Sequence, residues 1–373
     1  MVINLKKFII LFFSFFLVGC QNYRELNNTA IVSALGIDKK DNEYILTTQI
    51  INTEKNGDEQ SNLNAPIIYT GYGNNISEAL NNISLKSPKM LYLGHLDVVV
   101  ISENIAKNYI SEITDYFLRN EQINKNFTIL VSKGYNPEEI LNTPTPLVNF
   151  PSGNILGSLE ISSTIGGASS NVKFLSFVDT LKKIGKNSVM SSISLVDNKE
   201  ENKKELQIDD LGVFNNNKLV GYLSKEDAIG YNFITNNIDN SIINLECNNN
   251  NYIGVNVSNS KTKIKVIFKK NQPVINLNIT ADGKIIENNC ELKLNEIKSA
   301  TEKEINNMIE DSIKKVKTEY KSDIFGFGNY VYLSNPNYFN EIKNKWNNEI
   351  FISLKVNTNV SITFNNTGNL LID

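Results

Sequence analysis

The chain has 373 residues, 41% of them hydrophobic and 21% charged, which are values of a globular protein with room for two or three domains. A formal net charge of −3 and a pI near 5.6 exclude the basic footprint of a nucleic-acid binder. The single histidine leaves little material for histidine-based metal or acid–base chemistry.

The first 25 residues have three parts. Lys6 and Lys7 are a short basic start, Phe8 to Val18 is an apolar run broken only by Ser14, and Leu17-Val-Gly-Cys20 is followed at once by polar sequence. This is the pattern of a secretory signal peptide. The run is shorter than the ~20 residues that span a bilayer. A small residue directly before Cys, with Leu three positions upstream, resembles the lipobox of bacterial lipoproteins. That resemblance implies cleavage between Gly19 and Cys20, a signal peptide over 1–19, and an N-acyl, S-diacylglyceryl (palmitate-type) modification of Cys20. Two or more acyl chains anchor stably where one does not. The mature chain would then lie outside the cytoplasm.

After the anchor, Thr29 to Ile37 and Tyr44 to Ile51 read as a hairpin, followed by a polar loop and a short strand at Ile67 to Thr70. Asn75, with Glu78 three residues on, opens a helix whose apolar face is Ile76, Ala79, Leu80 and Ile83. Met90 to Ile101 reads as one long strand buried in a sheet. Ser102 caps a helix with the stripe Ile105, Ala106, Tyr109, Ile110, Ile113, Tyr116 and Phe117. A strand at Phe127 to Ser132 follows. At Asn136-Pro-Glu-Glu139 a cap, a proline and two acids begin another helix.

Thr143 to Pro146 and Pro151 to Gly153 predict a bent connection. Phe174 to Ile184 gives a further helix face and Val189 to Val196 a strand. The charged, apolar-free link Asp197 to Glu205 marks a domain boundary. Beyond it come a hairpin, Leu206 to Phe214 with Lys218 to Leu223, and strands at Ser241–Leu245, Tyr252–Val257, Lys263–Phe268 and Pro273–Ala281. A capping box at Thr301 and Glu304 then begins a helix to Tyr320, and the closing strand is Leu354 to Phe364. The expected fold class is α+β, a three-domain ectodomain after the lipoprotein signal: residues 20–196, a mostly-β unit 206–289, and an α+β unit 290–373.

No chemistry stands out. His95, between Gly94 and Leu96, reads as a satisfied core residue. Gly71-Tyr-Gly73 and Gly166-Gly167 read as turns, and Glu138-Glu139 and Asp209-Asp210 as capping or solvated acids. There is no phosphate-binding loop and no nucleophile elbow. No catalytic, cofactor-binding or metal-binding residue is assigned, and the chain reads as a non-enzyme. Cys247 and Cys290 form no framework, and their pairing depends on a separation that sequence does not fix.

Several blocks in order resemble the Ger(x)C family of spore germination lipoproteins. They are Cys20 with Tyr23-Arg-Glu-Leu-Asn27, Ala30 to Asp38, Leu93 to Leu96 with Ile105-Ala106, Leu211 to Phe214 with Lys218 to Gly221, Asp323-Ile-Phe-Gly-Phe-Gly328, and Trp346. Gln21-Asn22 stand where the family usually has Trp-Asp. The resemblance implies the C subunit of a nutrient germinant receptor, lipid-anchored at the outer face of the spore inner membrane. Its expected partners are integral-membrane A and B subunits, with a small-molecule germinant possible and unassigned. The other readings from the export signal are a solute-binding lipoprotein of a transporter and an exported cell-wall hydrolase.

Overall fold

The computed structural model describes residues 28–51, 67–145, 151–164, 167–199, 203–247, 251–290 and 292–366. Cys20, Gly19 and the rest of the signal lie outside the described residues. Two sheets organise the chain. The first runs β3 (Ile67–Gly73), β2 (Glu43–Ile50), β1 (Thr29–Lys40), β5 (Val98–Ser102), β6 (Thr128–Ser132), β7 (Val189–Asn198), β8 (Lys203–Asn215) and β9 (Lys218–Leu223), with the short β4 (Met90–Tyr92) also on β1. Its centre, β1-β5-β6-β7, is parallel and its flanks are antiparallel. The second sheet is β10 (Asn240–Glu246), β11 (Tyr252–Lys269), β12 (Gln272–Asn288) and β13 (Lys355–Asn366).

The apolar β5 run is explained by burial on both faces. Val98 and Val100 pack with Ala34, Leu130, Ile140 and Ile155. Val99 and Ile101 point the other way and pack with Leu35, Ile37, Ile105, Ile113 and Phe117. The covering helices are α1 (Ile76–Ser84), α2 (Glu103–Asn108), α3 (Ile110–Arg119), α4 (Pro137–Asn142), α5 (Pro151–Thr164) and α6 (Phe174–Leu181). Three begin on side chains the sequence pointed to: Asn75 accepts from Glu78 N, Ser102 from Ile105 N, and Asn136 forms a reciprocal box with Glu139.

Several expectations are corrected. Met90 to Ile101 is two strands separated by a turn, and His95 in that turn is exposed, its ring edge-on to Tyr92 at 5.5 Å. Gly94 and the two strands' different partners break the run: Met90 to Tyr92 pair with Thr29 to Ile31, and Val98 to Ile101 with Ala34 to Ile37. Gly71 and Gly73 lie within β3, where a Cβ would collide with the backbone of Ala79, so they permit the close approach of α1. Pro151 and Gly153 lie in a helix, with Ile155 and Leu159 buried one turn apart.

The expected boundaries meet continuous sheets. Asn198 pairs with Lys203, so β8 and β9 extend the first sheet across the charged link. In the second sheet β13 runs parallel to β12 from Val274↔Lys355 to Lys284↔Asn366, so residues on both sides of 289/290 share one sheet. That sheet is covered by α7 (Lys225–Thr235) and α8 (Leu294–Lys315), whose Ile297, Ile305 and Ile309 share a core with Ile275, Leu277 and Ile279. The start of α8 is also corrected. Lys293 is its N-cap residue, with its backbone N–H donating to Glu296 Oε2 at 2.8 Å, and Thr301 lies inside the helix, its hydroxyl donating to Ile297 O at 2.7 Å. A π-helical turn, Val316–Tyr320, follows α8. The short helices α9 (Phe327–Ser334), α10 (Pro336–Ile342) and α11 (Phe351–Ser353) fill the path to β13.

Candidate functional site

The block Asp323 to Gly328 sits where the two sheets meet. Asp323 and Ser322 are completely buried. The chain turns there on Gly326, at φ +80°, and enters α9. The turn aims three backbone N–H groups at one carboxylate. Asp323 Oδ1 accepts from Gly326 N at 2.9 Å and Phe327 N at 3.1 Å, and Oδ2 accepts from Gly328 N at 2.7 Å. The fourth donor is Trp346 Nε1, at 2.9 Å from Oδ2. An anion held at a helix N-terminus by N–H groups is favourably placed. Burial still pushes the carboxyl up to about 6, and the four donors hold it below where burial alone would put it.

This turn is also bonded to the first sheet. Asn187 N donates to Asp323 O at 2.7 Å and Asn329 N to Gly185 O at 3.0 Å. Ser322 Oγ donates to Phe214 O at 2.5 Å, and Asn215 Nδ2 to Lys321 O at 3.1 Å. Tyr320 OH donates to Tyr222 O at 2.6 Å, and Lys315 Nζ pairs with Asp227 at 2.6 Å. Gly328 is needed for closeness: a Cβ there would lie 2.7 Å from the Trp346 ring and 2.8 Å from Gly185 Cα. The late blocks of the sequence, Leu211 to Phe214, Lys218 to Gly221, Asp323 to Gly328 and Trp346, therefore converge on one joint. Their separation along the chain hid this; the visible signal was an Asp followed by two closely spaced glycines.

A second polar cluster lies at the far end of the first sheet. Lys39 is only 8% exposed, with Nζ 3.9 Å from the Tyr109 ring centre, 4.3 Å from that of Tyr44, and 3.5 Å from Glu112 Oε2. Tyr44 OH donates to Glu112, and burial followed by that bond pushes its phenol well above the usual range. Beside it is an open cleft of about 540 Å³, lined by Tyr44, Asn75, Glu112, Asp115, Tyr116 and Arg119. Both acids are engaged, Glu112 as above and Asp115 by Arg119 Nε at 2.8 Å. Lys133 likewise holds Asp210 at 2.6 Å. Among the described residues no group of three or more His, Cys, Asp or Glu is placed to hold a metal ion. Cys247 and Cys290 are joined by a disulfide.

The fold and joint thus define a two-sheet α+β protein whose halves are hydrogen-bonded together at a turn that a buried carboxylate organises. Two family models match it: the spore germination protein N-terminal domain over residues 22–195, and the spore germination B3/GerAC-like C-terminal domain over 209–368. The chain belongs to the Ger(x)C family of spore germination proteins. It is 28% identical to spore germination protein KC of Bacillus subtilis (strain 168), over 94% of this chain and 93% of that protein. It is 23% identical to spore germination protein B3 of the same organism, over 97% and 98% respectively. The crystal structure of the GerBC protein superposes with a TM-score of 0.60 at 21% identity, covering 89% of this chain and 97% of that one, which shows the same fold. The expected α+β class holds, and a role in spore germination displaces the solute-binding alternative.

Proposed function

We propose that this chain is a lipid-anchored, non-enzymatic C subunit of a nutrient germinant receptor, held at the outer face of the spore inner membrane by an acylated Cys20. It would act there with integral-membrane A and B subunits. The observation that carries this reading is the pair of family matches, which between them run from residue 22, just after Cys20, to residue 368. Three features support it. The intact Leu17-Val-Gly-Cys20 supplies the acylation site. The Cys247–Cys290 disulfide suits an oxidising compartment outside the cytoplasm. Among the described residues no helix is long and apolar enough to cross a membrane.

The joint suggests how such a subunit works. A carboxylate with four donors from Gly326 to Trp346 shapes the turn, and the turn is bonded to the first sheet's half through Asn187 N to Asp323 O, Asn329 N to Gly185 O and Ser322 Oγ to Phe214 O, which joins the two halves. Lipid confinement raises their effective concentration beside the membrane subunits. Any signal it carries requires an interface whose energy differs between the resting and triggered receptor. The test is Cys20→Ala in spores. The protein should leave the membrane fraction and nutrient germination should fall, with the folded domains intact. A mislocalised variant supporting full germination would refute the reading.

A further inference from the structure

We propose that the outer face of the second sheet is a binding surface for an anionic bilayer, carried by five lysines of β11 and β13. This deepens the membrane-anchored reading above, and its test does not use the anchor.

The sequence sets the face. From Lys261 to Lys269 every second residue except Ile267 is a lysine, namely Lys261, Lys263, Lys265 and Lys269. Side chains of a strand alternate between its two faces, so these four share one. The register shows which. Ile264 and Val266 lie opposite Leu277 and Ile275 and pack with them in the core, so the lysines point away from it. On β13 Val356 and Val360 join that core, which puts Lys355 on the outer face, opposite Val274. Asn276 and Asn357 lie on the same face, with Asn357 Nδ2 donating to Asn276 Oδ1 at 2.8 Å across the strands.

The face is basic in charge as well as in composition. All five lysines are exposed. Among the described residues none of their ammonium groups is in a hydrogen bond or an ion pair. No Asp or Glu occurs from Lys261 to Lys269, from Gln272 to Ala281 or from Lys355 to Ile362. The next acid along β12, Asp282, lies beyond the lysines, opposite Ser258 and Thr363, and accepts from Asn259 Nδ2 at 2.9 Å. The chain as a whole carries −3, so the face reverses the sign of its surroundings. Charge of either sign would guard the free edge of β11 against strand pairing. Five lysines without an acid do more, because they sum to a field.

The shape of the face selects its occupant. Successive lysines of β11 stand about 7 Å apart in a row about 27 Å long, and Lys355 lies about 10 Å to the side. The five basic residues include no arginine to fork a single carboxylate or phosphate. Lysine is a mobile point charge on a flexible stem, suited to a fluid array of headgroup phosphates, whereas the fixed pattern of an acidic protein partner is better served by arginine. Each lysine close to an anionic leaflet raises partitioning about fivefold. With the lipid as one contact and this face as the other, the ectodomain would lie on the bilayer in one orientation instead of tumbling on a tether.

The experiment uses the mature chain with Cys20→Ser, which cannot be acylated, and cosedimentation with phosphatidylcholine vesicles containing or lacking phosphatidylglycerol. The protein should partition to the anionic vesicles only, and high salt should release it. Lys263→Gln with Lys265→Gln should lower partitioning at least about tenfold, two lysines at about fivefold each. Lys263→Arg with Lys265→Arg should retain it. Lys303→Gln with Lys314→Gln, the same change of charge at exposed sites of α8, should leave it almost unchanged. Unfolding followed by Trp346 fluorescence checks that each variant is folded. No partitioning, equal partitioning to neutral and anionic vesicles, or equal loss in the two glutamine pairs would overturn the inference. Binding to poly-L-glutamate without binding to vesicles would assign the face to an acidic protein and overturn it too. Acylation is read separately, from the mass of the N-terminal peptide of the protein isolated from spores. An unmodified Cys20 there would overturn the anchor and leave the vesicle result standing.

Discussion

Asp323→Asn tests the joint with almost no change in shape. Each carboxylate oxygen accepts two hydrogen bonds, Oδ1 from Gly326 and Phe327 and Oδ2 from Gly328 and Trp346. An asparagine has one accepting oxygen, so either orientation of its amide turns an NH₂ group toward two buried N–H donors. Each donor left without a partner costs about 1–3 kcal/mol, or about 2–6 kcal/mol for the two. Removing a buried charge offsets part of this, since burial already pushes the carboxyl up to about 6. The expected net loss is about 2–4 kcal/mol. Urea unfolding followed by the fluorescence of Trp346, the chain's single tryptophan, measures it at the bond in question. A variant as stable as the wild type, or more stable, would refute the reasoning. It would mean that the carboxylate is an uncompensated charge and not a pin.

The same group sets a pH dependence. Its folded pKa lies above the ordinary 3.8, so between about pH 3.8 and 6 the folded state binds the proton that the unfolded state has released. The stability it contributes is present below that window and lost as pH rises through it; the gap between wild type and Asp323→Asn should therefore shrink from pH 4 to pH 7, and a widening gap would contradict the assignment. Gly328→Ala should cost more than about 2 kcal/mol, because the new methyl group meets Trp346 and Gly185; hydrogen exchange at Asn187 and Asn329 should rise with it. Replacing Cys247 and Cys290 together by Ser opens a loop with a sequence separation of 43 and should lower stability by about 2–4 kcal/mol; no change in the unfolding midpoint would count against the bond. Lys39→Met removes a cation from between two tyrosine rings and should cost about 1–3 kcal/mol, the half-exposed Glu112 contributing the smaller part.

Local signals were legible where the determinant is local. The caps at Asn75, Ser102 and Asn136 start helices because a side-chain oxygen reaches an N–H three residues on. The hairpin of β1 and β2 and the buried faces of α1, α2 and α3 follow from their periodicity, although the single helix expected over Ile105 to Phe117 is divided at Tyr109 into α2 and α3. Helix α7 gives little periodic signal in the sequence because Ala228 to Ile234 are buried all round, which erases the amphipathic stripe. The turn within Met90 to Ile101, Gly94-His95, is flanked by Leu93 and Leu96, both buried, so the apolar pattern reads straight across it. Sheet membership was hidden for a different reason. A charged link looks the same whether it separates domains or joins two strands of one sheet, as Asn198 and Lys203 do. The joint was visible only as a block of the family. Its partners, Trp346 and Asn187, come from distant parts of the chain, and only the fold brings them to Asp323. Whether Cys247 and Cys290 bond was likewise a question of distance, answered by a Cα separation of 6.5 Å.

The most direct measurement is the fall in optical density of spores given a panel of nutrients, comparing the wild type with an in-frame deletion of this gene. The account predicts loss of response to particular nutrients, with normal spore yield and a normal response to a trigger that bypasses nutrient receptors. Complementation by the wild-type gene should restore the response, and complementation by Cys20→Ala should not. An unchanged response of the deletion to every nutrient would contradict the receptor-subunit account.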